Sequence, residues 1–313
     1  ALLVLAAAYR FEGLFTPLRS MHLYSDLLGK LAAGWTGLIP LPVPAAFVAG
    51  FDHASRGGQV WWSYMMGEYS MTGWREYYLV ALAVKTSIPL MLLAAAGLFL
   101  GGRAGADRRS RWILLFLPAA LLVAAFTLSP AVKNIGVRYV LGVYPFLCAL
   151  GGLGAAALWE QRAKWMKGIA AVLILWAALN EALLYPDHLT FFNAAAGGPD
   201  GGRRWLVDSN LDWGQDLKGL GRWMRANDVG SIWLDYFGRA CPRYEGVHTV
   251  SDFEGGWIAV SVTNLTGVFR EKDRDRYRFL ENVKPVANIG HTILVWNVPK
   301  PPDWKPLKGT PDS

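Results

Sequence analysis

The sequence predicts a polytopic α-helical membrane protein that ends in a small extracytoplasmic α/β domain. Three observations carry this prediction: apolar segments of membrane length before residue 186, a shift to Asp, Arg, Gly and Pro after it, and Lys and Arg gathered in two short loops. Of the 313 residues, 53% are hydrophobic and 15 are Trp, and the mean hydropathy is +0.24. That split fits a multi-spanning region joined to an aqueous domain better than it fits one globule. The net charge of +7 is spread over loops rather than gathered in a basic stripe, which argues for membrane topology and against nucleic acid. The chain opens inside an apolar run, Ala1-Leu2-Leu3-Val4-Leu5. It is therefore expected to be the carboxyl-terminal fragment of a longer protein, and the lack of a signal peptide carries no weight. Cys148, in an apolar span, and Cys241, in the polar part, are poorly placed to pair.

A bilayer crossing takes roughly 17 to 25 mostly apolar residues. Segments 78–100, 112–128, 139–159 and 168–185 meet that length, and 1–9 reads as the end of a fifth span. Arg103, Arg108, Arg109 and Arg111 follow the first complete span, and Arg162, Lys164 and Lys167 precede the last. The positive-inside rule makes both loops cytoplasmic. Alternation then puts the long loop 10–77, the link 129–138 and domain 187–313 outside, with 1–186 as the membrane region. On that outer face Lys85, Lys133 and Arg138 are conspicuous, and an intramembrane lysine such as Lys85 is costly. Lys85 either snorkels to an interface roughly 10 Å away or, with Arg138, meets an anionic headgroup such as a lipid-linked phosphate. Lys133, in a solvated link, is the weakest of the three.

In the loop 10–77, Ile39-Pro40-Leu41-Pro42-Val43-Pro44 excludes a continuous helix. Trp61, Trp62, Tyr64, Tyr69, Trp74, Tyr77 and Tyr78 follow. They read as an interfacial aromatic belt with short amphipathic helices, or as the wall of a glycan site. His53 and Glu68 are titratable there but isolated.

Beyond the turn Gly197-Gly198-Pro199-Asp200-Gly201-Gly202, strands are expected at 205–208, 231–237, 257–263 and 292–298, with helices at 212–226 and 272–281. The first strand, the first helix and the second strand would make a parallel β-α-β unit. Asp212 with Gln215 three residues on is a capping-box pattern, and Asp216 suits a helix amino terminus. Asp208 and Asn210 are left at the carboxyl end of the expected strand, where open α/β sheets gather ligand groups, although Asx residues also serve tight turns. Trp213 is assigned to packing. Zinc spacings, phosphate-binding Gly-rich loops and the Gly-x-Ser-x-Gly elbow are all absent from the sequence. Asn264-Leu265-Thr266 matches a glycosylation acceptor, a pattern short enough to arise by chance.

Several stretches, in order, carry a resemblance: Tyr77-Tyr78-Leu79-Val80 with Val84-Lys85-Thr86; Gly136-Val137-Arg138-Tyr139-Val140-Leu141 with Tyr144-Pro145; Phe192-Asn193 with Gly197-Gly198-Pro199; and Asp208-Ser209-Asn210-Leu211-Asp212-Trp213-Gly214-Gln215-Asp216. Together with Tyr236-Phe237-Gly238 and Ser261-Val262-Thr263-Asn264-Leu265 they make the chain resemble bacterial members of glycosyltransferase family 39, relatives of protein O-mannosyltransferases and aminoarabinose-lipid transferases. The resemblance implies a GT-C fold in a bacterial plasma membrane. It also implies inverting transfer of a sugar from a polyprenyl-phosphate carrier to a protein, lipid or glycan acceptor, with the catalytic carboxylates in a first outer loop upstream of this chain, so that this fragment is expected to lack the catalytic base and to be inactive alone. On this reading Lys85 and Arg138 neutralise the leaving phosphate, Tyr139 adds a hydrogen bond, and Asp208 and Asn210 shape the sugar or acceptor side. No metal, nucleotide or other cofactor is called for. The family often has Pro after Lys-Thr, whereas Ser87 stands here before Ile88-Pro89, so the helix geometry near Lys85 is expected to differ. The rival readings are a transporter or flippase of a lipid-linked saccharide, and a non-catalytic membrane-anchored binding module.

Overall fold

A computed structural model describes residues 2–54, 62–101 and 136–304, with scattered positions between 105 and 134. Trp61, Arg103, Arg111, Lys133 and most of the expected span 112–128 lie outside the described residues. The chain forms two compact units, Ala1–Trp61 and Trp62–Ser313, so the expected boundary at residue 186 falls inside the second.

The first unit holds three short helices, α1 (Leu2–Ala8), α2 (Asp26–Ala33) and α3 (Ala45–Ala54), with 3-10 turns at Leu18–Ser20 and Trp35–Leu38. The prolines at 40, 42 and 44 separate α2 from α3, as their fixed φ and missing N–H require. Ser25 caps α2 by accepting from Leu28 N. Buried Asp52 of α3 accepts from the backbone N–H groups of Tyr24 and Ser25 and from the Ser25 hydroxyl.

The second unit begins with a hairpin that the sequence reading missed, β1 (Ser63–Met65) against β2 (Glu68–Ser70). The expected single span 78–100 is two helices, α4 (Tyr77–Lys85) and α5 (Ile88–Leu100), bent by 105°. Pro89 is the cause: in a continuous helix its ring would strike the carbonyl of Lys85, and it has no N–H to give that carbonyl. Thr86 and Ser87 are extended instead, with ψ of 136° and 135°. A 3-10 stretch (Val137–Val143) runs into α6 (Tyr144–Trp159), and α7 (Lys164–Leu184) follows. Val137–Trp159 and Lys164–Leu184, with mean hydropathies of 1.8 and 1.6, are each long and apolar enough to cross a bilayer, and the bent pair makes a third crossing if it acts as one span. At about 1.5 Å per residue, α7 is about 31 Å long, close to a hydrocarbon core of about 30 Å. Val172, Leu175 and Leu183 on it are exposed, as suits lipid contact. α5 and α6 touch backbone to backbone: a Cβ at Gly97 would lie 1.9 Å from Leu150 O, and one at Gly154 would lie 1.9 Å from Leu93 O. Small residues at the contact permit that approach.

The α/β part is a four-stranded mixed sheet of β3 (Trp233–Asp235), β4 (Gly256–Ser261), β5 (Ala287–Ile289) and β6 (Ile293–Val298) in the order β3-β4-β6-β5. Only β3 and β4 are parallel. Side chains alternate along β6: Ile293 and Val295 pack against α8 (Leu217–Ala226) through Leu217, Leu220 and Met224. Leu294, Trp296 and Val298 face the other way, into a core that continues through Tyr277 and Phe253 to Tyr77, Tyr78, Val84 and Val140. The sheet is therefore fused to the apolar helices by one hydrophobic cluster.

The α/β part departs from several sequence expectations. Residues 205–208 are not a strand: Asp208 sits at φ 57° and opens a 3-10 turn, and its N–H goes to Thr263 Oγ1 rather than to a neighbouring strand. The parallel β-α-β unit through that strand is accordingly absent. The helix expected from 212 starts at Leu217, because Gly214 takes φ 73°, which a right-handed helix cannot contain. Segment 272–281 is a kinked 3-10 stretch, Arg274–Leu280, instead of an α-helix. The other three strands are shorter than expected, and β4 ends where a helical turn, Val262–Leu265, begins.

Candidate functional site

The break after Lys85 exposes the last carbonyls of α4, and Asn193 answers them. Its N–H donates to Val84 O at 2.9 Å, and its side-chain amide donates to Ala83 O at 2.6 Å and Thr86 O at 3.0 Å. The neighbouring Phe192 ring lies under the Lys85 ammonium, 4.4 Å from Nζ to the centroid. Lys85 Nζ donates to Leu189 O at 2.8 Å and to Asn210 O at 2.6 Å. A cation in the last turn also suits the negative end of the helix dipole. One ammonium N–H thus ties the end of α4 to the polar run that begins at Val207, and a second ties it to the segment around Leu189.

Asn210 is fully buried, and its side chain faces protein on every polar edge. Oδ1 accepts from Val137 N at 2.9 Å, and Nδ2 donates to the Tyr77 hydroxyl at 2.8 Å and to Val207 O at 3.2 Å. Asn210 therefore joins three segments, α4, the 3-10 stretch from Val137 and its own turn, and its amide is committed within the fold. Lys85 and Asn210 are brought together, as supports.

The open part of the site lies around Arg138. Its guanidinium is exposed, forms no salt bridge among the described residues, and stands over the rings of Tyr139 (5.2 Å) and Trp213 (5.8 Å). Tyr139 is half-exposed and meets Tyr78 edge-on at 6.4 Å. Trp213 is 53% exposed and so only partly packed; Gly214, in its left-handed turn directly after it, and Phe237, 6.0 Å away, set its position. Asp208 is buried in the same neighbourhood. Burial pushes its carboxyl up to about 7, opposed by the Ser209 N–H and by the positive charge of Arg138. Between Asp208 and Asn210, the buried Ser209 hydroxyl has no hydrogen-bond partner among the described residues. The sequence reading passed over Ser209 because an isolated Ser carries no signal.

The capping box does not form. Asp212 accepts from Gly214 N at 3.0 Å in an Asx turn and from Thr263 N at 3.5 Å, while Gln215 Oε1 accepts from Trp213 N at 2.7 Å. Asp216 stands just before α8 without capping it and instead accepts from the Thr292 hydroxyl at 2.6 Å. Burial pushes Asp212 and Asp216 up to about 6 each. Asn264 of the glycosylation pattern donates to Asp235 at 2.8 Å. Among the described residues, no group of three or more His, Cys, Asp or Glu is arranged to hold a metal ion.

Chemically, the arrangement offers one open cation beside two exposed aromatic faces, and one carboxyl that exchanges its proton near neutrality. No protein-family model, curated protein or solved structure matches the chain.

Proposed function

We propose that the chain is part of a protein that transfers a sugar from a polyprenyl-phosphate carrier to an acceptor at the extracytoplasmic face of a bacterial plasma membrane, with Arg138 meeting the carrier phosphate. The observation that carries this reading is the setting of Arg138. It is an exposed guanidinium, without a salt bridge among the described residues, at the amino-terminal end of the apolar stretch Val137–Trp159 and beside the rings of Tyr139 and Trp213. A guanidinium fork matches phosphate oxygens bidentately, and its charge stabilises the phosphate most as the sugar–oxygen bond breaks. The anomeric carbon then bonds to the acceptor hydroxyl oxygen, and the polyprenyl phosphate departs with the electron pair. Inversion at that carbon rests on the family resemblance alone.

Trp213 would offer a face to the sugar ring, and Tyr139 a hydroxyl to the phosphate. Asp208 would meet a hydroxyl of the sugar or acceptor as donor or acceptor according to its protonation. None of these groups is assigned as the base that takes the acceptor proton. Lys85 and Asn210 act from behind, holding the turn that carries Asp208 against the end of α4.

The test is release of free polyprenyl phosphate from a radiolabelled lipid-linked sugar by the intact protein in proteoliposomes. Acceptor-dependent release supports transfer. Passage of the donor across the bilayer without consumption would replace transfer by transport, and binding without either would leave a non-catalytic module.

A further inference from the structure

A cleft of about 520 Å³ lies in the α/β part and shares no lining residue with the cluster around Arg138. Three chain segments furnish its cations: Arg203 and Arg204 from the 3-10 turn Gly202–Arg204, Arg274 and Arg278 from the stretch Arg274–Leu280, and Lys284 just beyond it. Against these five stand two lining carboxylates, Asp275 and Glu281. None of the five makes a salt bridge among the described residues.

Arg274 is fixed by rings instead of by an acid. Its guanidinium lies 4.0 Å from the Trp62 ring centroid and 4.3 Å from that of Tyr69, and its buried Nε and Nη2 have no hydrogen-bond partner among the described residues. Stacking holds the group in place but leaves its positive charge uncompensated. Arg203 is partly buried, and both that burial and the adjacent Arg204 disfavour its charge. Crowding like charges at a half-buried wall costs free energy that an arriving anion would recover. Aromatic and apolar groups, Tyr64 and Tyr69, themselves edge-on at 5.5 Å, with Leu265 and Trp296, line it together with polar Thr266 and Asn282.

We propose that this cleft binds an acidic oligosaccharide whose carboxylates are spaced along it, as in a uronate-containing glycan. The cleft is larger than a single phosphate or carboxylate group needs and falls in the range of pockets that hold small organic ligands. Its cations come from separate segments, which suits charges carried on successive sugar units. Four of the five are arginines, whose planar fork pairs with planar carboxylates. The proposal is independent of the transfer reaction at Arg138.

The experiment is calorimetric titration of the intact protein in detergent at low salt with trigalacturonate, maltotriose and inorganic phosphate. Trigalacturonate is expected to bind, with maltotriose and phosphate each at least about tenfold weaker, the loss that follows from removing either the charge-assisted bonds or the sugar contacts. The exposed-site variants Arg278→Glu and Lys284→Glu, which remove no buried contact, and Arg274→Ala should each weaken trigalacturonate about tenfold or more. Equal binding of maltotriose would overturn the role of charge. Phosphate binding as tight as trigalacturonate would reduce the cleft to a simple anion patch and overturn the saccharide. Binding indifferent to all three variants would place the ligand elsewhere.

Discussion

Replacing Asn210 by alanine removes three hydrogen bonds at one buried point: from Val137 N, to the Tyr77 hydroxyl and to Val207 O. At a net 0.5–1.5 kcal/mol each, the loss is about 2–5 kcal/mol, weighted to the upper end because buried polar groups are left unpaired. For a unit of this size, about 2–4 °C per kcal/mol converts that to a fall in Tm of roughly 4–20 °C. The assay is thermal unfolding of the detergent-solubilised protein followed by tryptophan fluorescence, which the 15 Trp residues make strong. Asn210→Asp keeps an acceptor for Val137 N–H but turns both amide donors into acceptors, one of them facing Val207 O, so when ionised at alkaline pH it should destabilise at least as much as alanine. A shift in Asn210→Ala smaller than about 1 °C would refute the assignment of Asn210 as the joint between α4 and the polar turn.

Lys85→Met keeps the aliphatic stem near Phe192 but strands the carbonyls of Leu189 and Asn210; the expected cost is about 1–4 kcal/mol of stability, seen as a lower Tm in parallel with any loss of activity. A normal Tm with lost activity would instead make Lys85 a direct phosphate ligand. Asp208, Asp212 and Asp216 are all pushed above the ordinary carboxylate value of 3.8, to about 7, 6 and 6. The folded protein thus binds more protons than the unfolded chain between pH about 4 and 7, so stability should fall as pH rises through that window. Asp208→Asn, which tolerates the same left-handed backbone, should flatten the upper part of that fall, and Tm–pH curves parallel to wild type would contradict it. Gly154→Ala drives a Cβ into the Leu93 carbonyl and should cost about 1–3 kcal/mol at the α5–α6 contact, measurable by thermal unfolding; a neutral effect would mean the two helices do not pack as closely as described.

How much of this was readable from the residues varies with the physics involved. The long apolar helices were legible because hydrophobic runs act locally: 139–159 and 168–185 correspond to Val137–Trp159 and Lys164–Leu184 within a few residues. The break after Lys85 was only half legible. Pro89 announces it, but the 105° turn depends on Asn193, more than a hundred residues on, capping the freed carbonyls. The buried face of α8 follows from the spacing of Leu217, Leu220 and Met224. Its start does not, because Asp212 and Gln215 imitate a capping box while Gly214, in a left-handed turn, postpones the helix. Val207 and Asp208 look like the end of a strand, yet no neighbouring strand pairs with them; the turn around Asn210 is set by distant partners, Tyr77, Val137 and Lys85. Lys85, Arg138 and Tyr139 are expected on the phosphate side and Asp208 and Asn210 on the sugar or acceptor side, but that Lys85 and Asn210 bond backbone and side chains within the fold is not legible in the sequence. Whether an amide faces ligand or backbone is decided by tertiary contacts alone.

The most direct measurement is kcat/KM for a polyprenyl-phosphate sugar in proteoliposomes, compared among wild type, Arg138→Lys and Arg138→Ala at matched Tm. Bidentate phosphate binding by Arg138 predicts a loss of about 10- to 150-fold in Arg138→Ala, the equivalent of 1.5–3 kcal/mol, with partial recovery in Arg138→Lys and no change in Tm. Turnover by Arg138→Ala at the wild-type rate would contradict it.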